Sequence, residues 1–182
     1  MLPSLRSVLR RLAAETRGAE IAEAAAVLPL MFMMLLGIFW FGQAFSLYGA
    51  ITRAAQEGAR AGAAPYCATC SGNSLTQYEA NAVNAVQAAL VASKLNPALA
   101  QPPATPTVFS PCTAGLPTTC TTTAGICVQA PVELTTYNSG STRACFISVS
   151  FQYPFQFWLP FTSLNQQRIL IAASARVRLE MH

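Results

Sequence analysis

Cysteine is the residue type whose spacing in this sequence first suggests chemistry. Six cysteines occur, and Cys67 and Cys70 form a Cys-x-x-Cys motif. Such a motif supports thiol–disulfide exchange when the first thiolate is stabilised at the N-terminus of a helix in a thioredoxin-like unit. The sequence lacks the alternating strands and helices of that unit. We therefore interpret the pair as a structural disulfide rather than a redox site.

The other four cysteines are separated by 7, 6 and 17 intervening residues, which is not the paired spacing of a zinc site. No metal and no other cofactor is predicted. All six cysteines follow a long apolar segment, and an even number on one side is typical of disulfides in an oxidising compartment. The four are Cys112, Cys120, Cys127 and Cys145.

Sequence alone leaves the pairing of the cysteines open, because many connectivities are possible. Short separations favour two local pairs, Cys67 with Cys70 and Cys112 with Cys120. Cys127 and Cys145 then remain, and their alternation places them on different faces of the predicted strands unless a β-bulge intervenes.

Other side chains that usually perform catalysis are few. The sequence has no aspartate, and His182, the single histidine, is its last residue. A catalytic histidine is normally oriented by a second group, for which a chain terminus is a poor place. No pattern brings Glu79 and Glu133 together as a carboxylate pair. We therefore predict that the protein is not an enzyme.

The elements that position these residues begin with a long apolar segment. No charged side chain occurs over the 29 residues from Ala24 to Thr52, and about 20 helical residues span a bilayer core. Cleaved signal peptides have apolar cores of only about 7–15 residues, so a retained helix over residues 19–64 is favoured. Pro65 ends that helix.

Four arginines lie in a basic leader, residues 1–18, ahead of the apolar segment. They favour a cytoplasmic N-terminus and a single pass through a membrane, with the remainder of the chain on the other side. No aromatic or basic patch follows, so nucleic acid is not a predicted partner. The arginines are Arg6, Arg10, Arg11 and Arg17.

Residues 65–182 are predicted to form an exported α+β domain that is stapled by disulfides. An apolar stripe at helical spacing predicts a second helix over residues 75–95. Three stretches beginning at Ile126, Cys145 and Arg168 alternate with period two, which predicts an antiparallel sheet of about three to four strands. The second helix, or the exported end of the first, is expected to cover its apolar face.

Smaller signals refine this domain. TVFS, residues 107–110, is a candidate edge strand, and YNSGS, residues 137–141, is a candidate hairpin turn. Pro131 and Pro154 are expected at edges, bulges or strand ends, because proline cannot donate to a sheet. Gly58 and Gly62 lie four residues apart, a spacing that lets helices approach closely, so we predict a packing role for both.

Glu23 lies at the cytoplasmic edge of the apolar segment, five residues after Gly18. A carboxylate drawn into lipid is costly unless it finds a cation. The stretch RGAEIAEAAAVLP around Glu23, followed by RAAQEGARAGA at the far end of the helix, resembles the TadE-like family of minor pseudopilins. The C-terminal ILIAASARVRLE resembles that family more loosely.

The resemblance implies a minor pseudopilin or assembly factor of a Tad/Flp-type bacterial pilus, a system of cell adhesion and secretion. It implies a prepilin peptidase that cuts between Gly18 and Ala19, and Glu23 as the pilin-type glutamate. Other pilin-like subunits and the pilus assembly machinery are the implied partners, and the implied location is the bacterial inner membrane, with the exported domain in the periplasm. The sequence departs from the usual pattern in having Ala24 where an aromatic residue is common, and in having Glu20 inside the cleavage window.

Two other functions are compatible with a membrane-anchored exported domain. An envelope-anchored sensor or ligand-binding module predicts a ligand pocket within residues 66–182 and no role for Glu23. A membrane-tethered thiol oxidoreductase requires an exposed and reducible Cys67–Cys70 pair.

Overall fold

The structure, a computed structural model, describes residues 16–64, 75–112, 120–133, 145–156 and 168–179. The leader up to residue 15, the Cys67–Cys70 motif, the candidate turn at residues 137–141 and His182 lie outside these ranges. The chain divides into two compact units, Met1–Gln43 and Ala44–His182. The division falls inside the first helix, so the second part of that helix belongs to the second unit.

The first helix, α1, runs from Thr16 to Ala63 and is 48 residues long. Its bounds agree closely with the predicted residues 19–64. Pro29 lies inside it without ending it. Arg60 lies in its last turn, where a positive charge interacts favourably with the helix dipole.

The second helix, α2, runs from Leu75 to Ala92 and ends earlier than the predicted residue 95. Lys94 adopts a left-handed backbone conformation, with φ of 59°. Its N–H donates to the Val91 carbonyl, and the Leu95 N–H donates to the Leu90 carbonyl, each at 2.9 Å. This is the hydrogen-bond pattern of a Schellman motif, which stops the helix. A 3-10 turn, Pro97–Leu99, follows, and the Asn96 side chain caps it.

A single antiparallel sheet contains all five described strands. Its order is β1-β3-β4-β5, and β2 pairs with the same edge of β3 as β1 does. The predicted α+β class is confirmed, with five strands rather than three to four. The strands are β1 (Ser110–Pro111), β2 (Thr121–Thr123), β3 (Ile126–Glu133), β4 (Cys145–Gln156) and β5 (Arg168–Arg178).

The strands β1 and β2 are short and lie where the sequence does not alternate. β1 occupies residues 110–111 rather than 107–110. β2 and β3 form a tight hairpin through Ala124 and Gly125, which both have positive φ. Two consecutive residues of this kind between paired strands make a type I′ turn. A Cβ atom at Gly125 would overlap the Ala100 carbonyl, so the turn also requires glycine there for close approach.

The core lies between one face of the sheet and the two helices. In β4, alternate residues from Cys145 to Phe155 are buried, as the period-two pattern predicts. Both helices cover this face, whereas the sequence left open which of them would do so. The buried apolar cluster contains Ile51, Ala54, Ala55, Ala59, Ala82, Val83, Val86, Leu90, Ala100, Ile126, Val128, Ile147, Val149, Phe151, Tyr153 and Ala173.

Period two predicts that Val128 and Val132 lie on the same face of the sheet, and this part of the predicted alternation is wrong. Val128 pairs with Val149 on the core face, but Val132 pairs with Phe146, whose position belongs to the opposite face. A β-bulge between Gln129 and Val132 inserts one extra residue into β3 and changes the face of every residue after it. Pro131 lies in this bulge, as expected for a residue that cannot donate to the sheet.

Candidate functional site: the long helix and the seat of its second part

The first part of α1 exposes an apolar surface. Among the described helices, α1 is the one long and apolar enough to cross a membrane by length and composition, with a candidate span of Ile21–Ala63. Many of its large side chains are exposed; Met33, for example, is 77% exposed and Phe45 is 72% exposed. The predicted candidate membrane helix is thus present.

Aromatic side chains gather toward one end of this apolar surface. The rings of Phe39 and Trp40 meet edge to face, with centroids 5.7 Å apart. Phe41, Phe45 and Tyr48 follow within three turns and are exposed. Aromatic residues are enriched at membrane–water boundaries, so the distribution matches one end of a span.

Glu23 and Gly18 both lie on α1. Gly18 is exposed, and no atom lies within 4 Å of the position where a Cβ atom would stand. Glu23 is exposed as well, one turn and a half further along the helix. The Gly18–Ala19 bond therefore lies in the first turn of α1, where helix ends fray most readily.

The second part of α1 packs into the core of the second unit. Ile51, Ala54, Ala55 and Ala59 are fully buried, and their spacing places them on one side of the helix. Arg53, Glu57 and Arg60 are exposed. Glu57 and Arg60 form a surface ion pair at 3.4 Å, a type of contact that adds little stability.

Gly58 and Gly62 lie where the second part of α1 packs most closely against its neighbours. A Cβ atom at Gly58 would overlap the Val86 side chain and approach the Ala82 carbonyl to 3.0 Å. A Cβ atom at Gly62 would overlap the end of the Ile147 side chain. The two glycines thus let α1 approach α2 and β4 within one chain.

Two disulfides join the four described cysteines. Cys112 bonds to Cys145, and Cys120 bonds to Cys127. The predicted Cys112–Cys120 pair is therefore wrong. The hairpin explains the second bond, because Thr122 pairs with Cys127 and residue 120 lies two positions along on the same face. The first bond joins the end of β1 to the start of β4. These two strands lie on either side of β3, an arrangement that their separation in sequence does not predict.

The proline-rich segment between α2 and β1 crosses the outer face of the sheet, which is the face opposite to the core. The Gln129 side chain donates to the Thr107 carbonyl at 3.1 Å, and the Arg176 guanidinium lies 4.7 Å over the Phe109 ring. A cleft of about 310 Å³ lies between this segment and the sheet, lined mainly by prolines, Val108 and Thr122. The sequence pattern gave no signal for these contacts.

A second open cleft of about 770 Å³ lies beside α2 and the Ala124–Gly125 turn. Neither cleft is lined by an acidic or basic side chain. Within the described ranges, no group of three or more histidine, cysteine, aspartate or glutamate residues is placed to hold a metal ion. The described residues thus offer apolar surface and backbone contacts rather than a gathered set of reactive groups.

These features define an α+β protein with a candidate membrane span at its N-terminal end. A family model described as TadE-like protein matches residues 18–60, so the predicted resemblance is confirmed for this segment. The match begins at Gly18, includes Glu23 and Gly58, and ends just before Gly62. No curated protein and no solved structure matches the chain.

Proposed function

We propose that the protein is a minor pseudopilin or assembly factor of a Tad/Flp-type pilus, anchored in the inner membrane by α1. One observation carries the proposal. The TadE-like match covers the part of α1 that exposes apolar side chains together with the part that packs into the core of the α+β unit. The exposed apolar side chains in the first part of such a helix need lipid or other apolar helices around them. A pilin-like subunit contacts lipid in the membrane and other helices in the pilus.

The proposed topology places the basic leader in the cytoplasm and the sheet in the periplasm. About 20 helical residues cross a bilayer core, and the interval from Glu23 to the aromatic residues near Phe45 fits that length. The arginines ahead of α1 follow the bias of short cytoplasmic segments. The two observed disulfides are of the kind that forms in an oxidising compartment such as the periplasm.

Glu23 supplies the proposed assembly contact. A prepilin peptidase that cuts after Gly18 would create a free amine on Ala19. In a bundle of pilin-like helices, that amine can pair with Glu23 of a neighbouring subunit. A one-residue slip would leave both charges unpaired in a medium of low dielectric constant, at a cost of several kcal/mol. The pair would therefore fix the axial register between subunits.

Deletion and complementation test the proposed function directly. The gene for this chain is deleted in its native bacterium, and pili are counted by electron microscopy. We expect loss of pili, with recovery when the wild-type chain is restored. Normal piliation in the deletion strain would contradict the proposal and would favour an envelope-anchored binding module.

A further inference from the structure

β5 forms one edge of the sheet. It pairs with β4 along its whole length, from Gln156↔Arg168 to Phe146↔Arg178, and no other described strand pairs with it. The strand is 11 residues long and contains no proline. Long edges are usually interrupted, covered, or used to bind another strand. The outer edge of β5 is therefore open to pairing within the described part of the chain.

The register identifies the backbone groups that face this edge. The Leu179 N–H donates to the Cys145 carbonyl at 2.7 Å, which places odd-numbered residues of β5 in hydrogen-bonded pairs with β4. Across β4, Gln152 exchanges hydrogen bonds with Gln101, in agreement with this alternation. Even-numbered residues of β5 therefore direct their N–H and C=O groups outward. They are Arg168, Leu170, Ala172, Ser174, Arg176 and Arg178.

The same even-numbered residues include three exposed arginines, Arg168, Arg176 and Arg178, on the outer face of the sheet. The face of the Arg176 guanidinium stacks on Phe109, which leaves the N–H donors at its rim available to a carboxylate. The ion pair found among the described residues joins Glu57 and Arg60, so none of the three arginines has a carboxylate partner there.

The core-side face of β5 is apolar, and it remains partly exposed along the edge of the sheet. Ile169 is 48% exposed, and Ile171, Ala175 and Val177 are partly buried. An added strand would cover these side chains if its own residues on this side were apolar. The edge thus fits an extended segment with carboxylates on one face and apolar side chains on the other.

The sequence itself contains no such segment. It has no aspartate, and no two of its glutamates are two residues apart, which is the spacing needed to face Arg176 and Arg178 together. A second copy of β5 is also a poor partner, because its even-numbered residues include no carboxylate to meet Arg176 and Arg178. In the antiparallel register centred on Ala173, Arg168 would also lie opposite Arg178. Like charges at directly opposite positions destabilise a sheet.

We propose that the outer edge of β5 binds an extended segment of a different protein chain, in which carboxylate and apolar side chains alternate. The segment adds a sixth strand to the sheet, with hydrogen bonds to the even-numbered residues of β5 and ion pairs to Arg176 and Arg178. This interaction does not depend on the pilus role. Failure of the binding test would leave the piliation test unaffected.

Peptide binding to the full chain in detergent micelles tests the proposal. The probe is a fluorescent synthetic peptide of alternating glutamate and valine, and its control carries glutamine in place of glutamate. We expect fluorescence anisotropy to show about tenfold weaker binding of the glutamine peptide, the effect of losing two cross-strand ion pairs. Equal affinities for the two peptides would overturn the proposal.

Variants locate the interaction on β5. The double substitution Arg176→Gln and Arg178→Gln is expected to weaken glutamate-peptide binding about tenfold, whereas Arg53→Gln on α1 is expected to have no effect. Ala172→Pro removes an outward N–H without removing a hydrogen bond to β4, so it is expected to abolish binding. Ala172→Thr keeps that donor and serves as the control. Equal binding by the Pro and Thr variants would exclude strand addition at this edge.

Amide hydrogen exchange gives a readout that charge attraction alone would not change. Added peptide is expected to slow exchange at Leu170, Ala172, Ser174 and Arg176, but not at Ile171 and Ala173, whose N–H groups already bond to β4. Peptide binding without this alternating protection would overturn the proposed geometry. Self-association in the absence of peptide that Ala172→Pro abolishes would assign the edge to a second copy and would also overturn the proposal.

Discussion

Gly58 on α1 lies so close to Val86 on α2 that a methyl group at Gly58 would overlap Val86 Cγ2. Val86 is fully buried, and its branched side chain has little rotational freedom in a helix. Glycine is therefore needed here for contact between two helices of the same chain. The same spacing in membrane helices often serves contact between neighbours.

The first prediction concerns this contact. Gly58→Ala is expected to destabilise the second unit by about 1 kcal/mol, because overpacking by about 1–3 kcal/mol outweighs the better helix propensity of alanine. Gly49→Ala is the matched control, since no atom lies within 4 Å of its Cβ position, and it should be neutral or stabilising. Thermal unfolding of the full chain in detergent, followed by circular dichroism, compares the two. Equal melting temperatures would argue against the close contact.

The second prediction concerns the disulfides. Replacing Cys112 and Cys145 by alanine should cost about 4 kcal/mol, and replacing Cys120 and Cys127 about 2 kcal/mol, because the first bond closes the longer loop. The sequence separations are 33 and 7 residues. Chemical denaturation of the oxidised chain measures the difference. Peptide mapping under non-reducing conditions provides the control, and recovery of a Cys112–Cys120 peptide would contradict the observed pairing.

The third prediction concerns two non-glycine residues with left-handed backbone conformations. Lys94 and Ala124 have φ of 59° and 52°, where a side chain costs about 1–2 kcal/mol relative to ordinary conformations. Lys94→Gly and Ala124→Gly are each expected to raise stability by about 0.5–1 kcal/mol. Ala88→Gly, on the exposed side of α2, should lower it by about the same amount. A loss of stability in all three variants would be inconsistent with these turn geometries.

The fourth prediction concerns processing. N-terminal sequencing of protein purified from its native membrane is expected to read Ala-Glu-Ile-Ala-Glu, the residues that follow Gly18. The reason is the spacing between Gly18 and Glu23 in the TadE-like segment. Cells without the prepilin peptidase should retain the leader. A chain that keeps Met1 in cells carrying the peptidase would refute the cleavage, and a new N-terminus near Ala61 would indicate a removed signal peptide instead.

The fifth prediction concerns Glu23. Glu23→Gln preserves shape and removes the charge, so an amine of the neighbouring subunit would lose its partner in lipid, at a cost of a few kcal/mol per contact. We expect normal protein levels and normal cleavage but few pili by electron microscopy. Glu20→Gln is the control, because Glu20 lies nearer the proposed cytoplasmic headgroups. Equal piliation of wild type and Glu23→Gln would leave the register contact unsupported.

Sequence reasoning succeeded where one pattern decides the structure. β4 and β5 alternate without interruption, so the core-facing residues from Ile147 to Phe155 follow from period two alone. The long uncharged stretch before Arg53 likewise identifies α1, because few other elements tolerate so many exposed apolar residues. The packing of α1 could be predicted in part, since alanine and glycine around Gly58 indicate close packing but do not identify the element that α1 packs against.

Other features depend on register, which the sequence does not display. The bulge at Pro131 moves Val132 to the outer face, and only the paired strands reveal it. The disulfide between Cys112 and Cys145 follows from two strands meeting across β3 rather than from their separation in sequence. The contact between Arg176 and Phe109 depends on the path of the proline-rich segment, for which periodicity gives no signal.

The buried residues of α1 around Ile51 and Ala55 carry a practical consequence for work on the isolated domain. A fragment that starts at the end of the helix, near Pro65, would lack one wall of its own core. The apolar face of β4 would then be open to water, and such a fragment should aggregate on expression. A water-soluble version has to keep the helix from about Ala44 onward, where the second compact unit begins, with polar replacements at the exposed Phe45 and Tyr48.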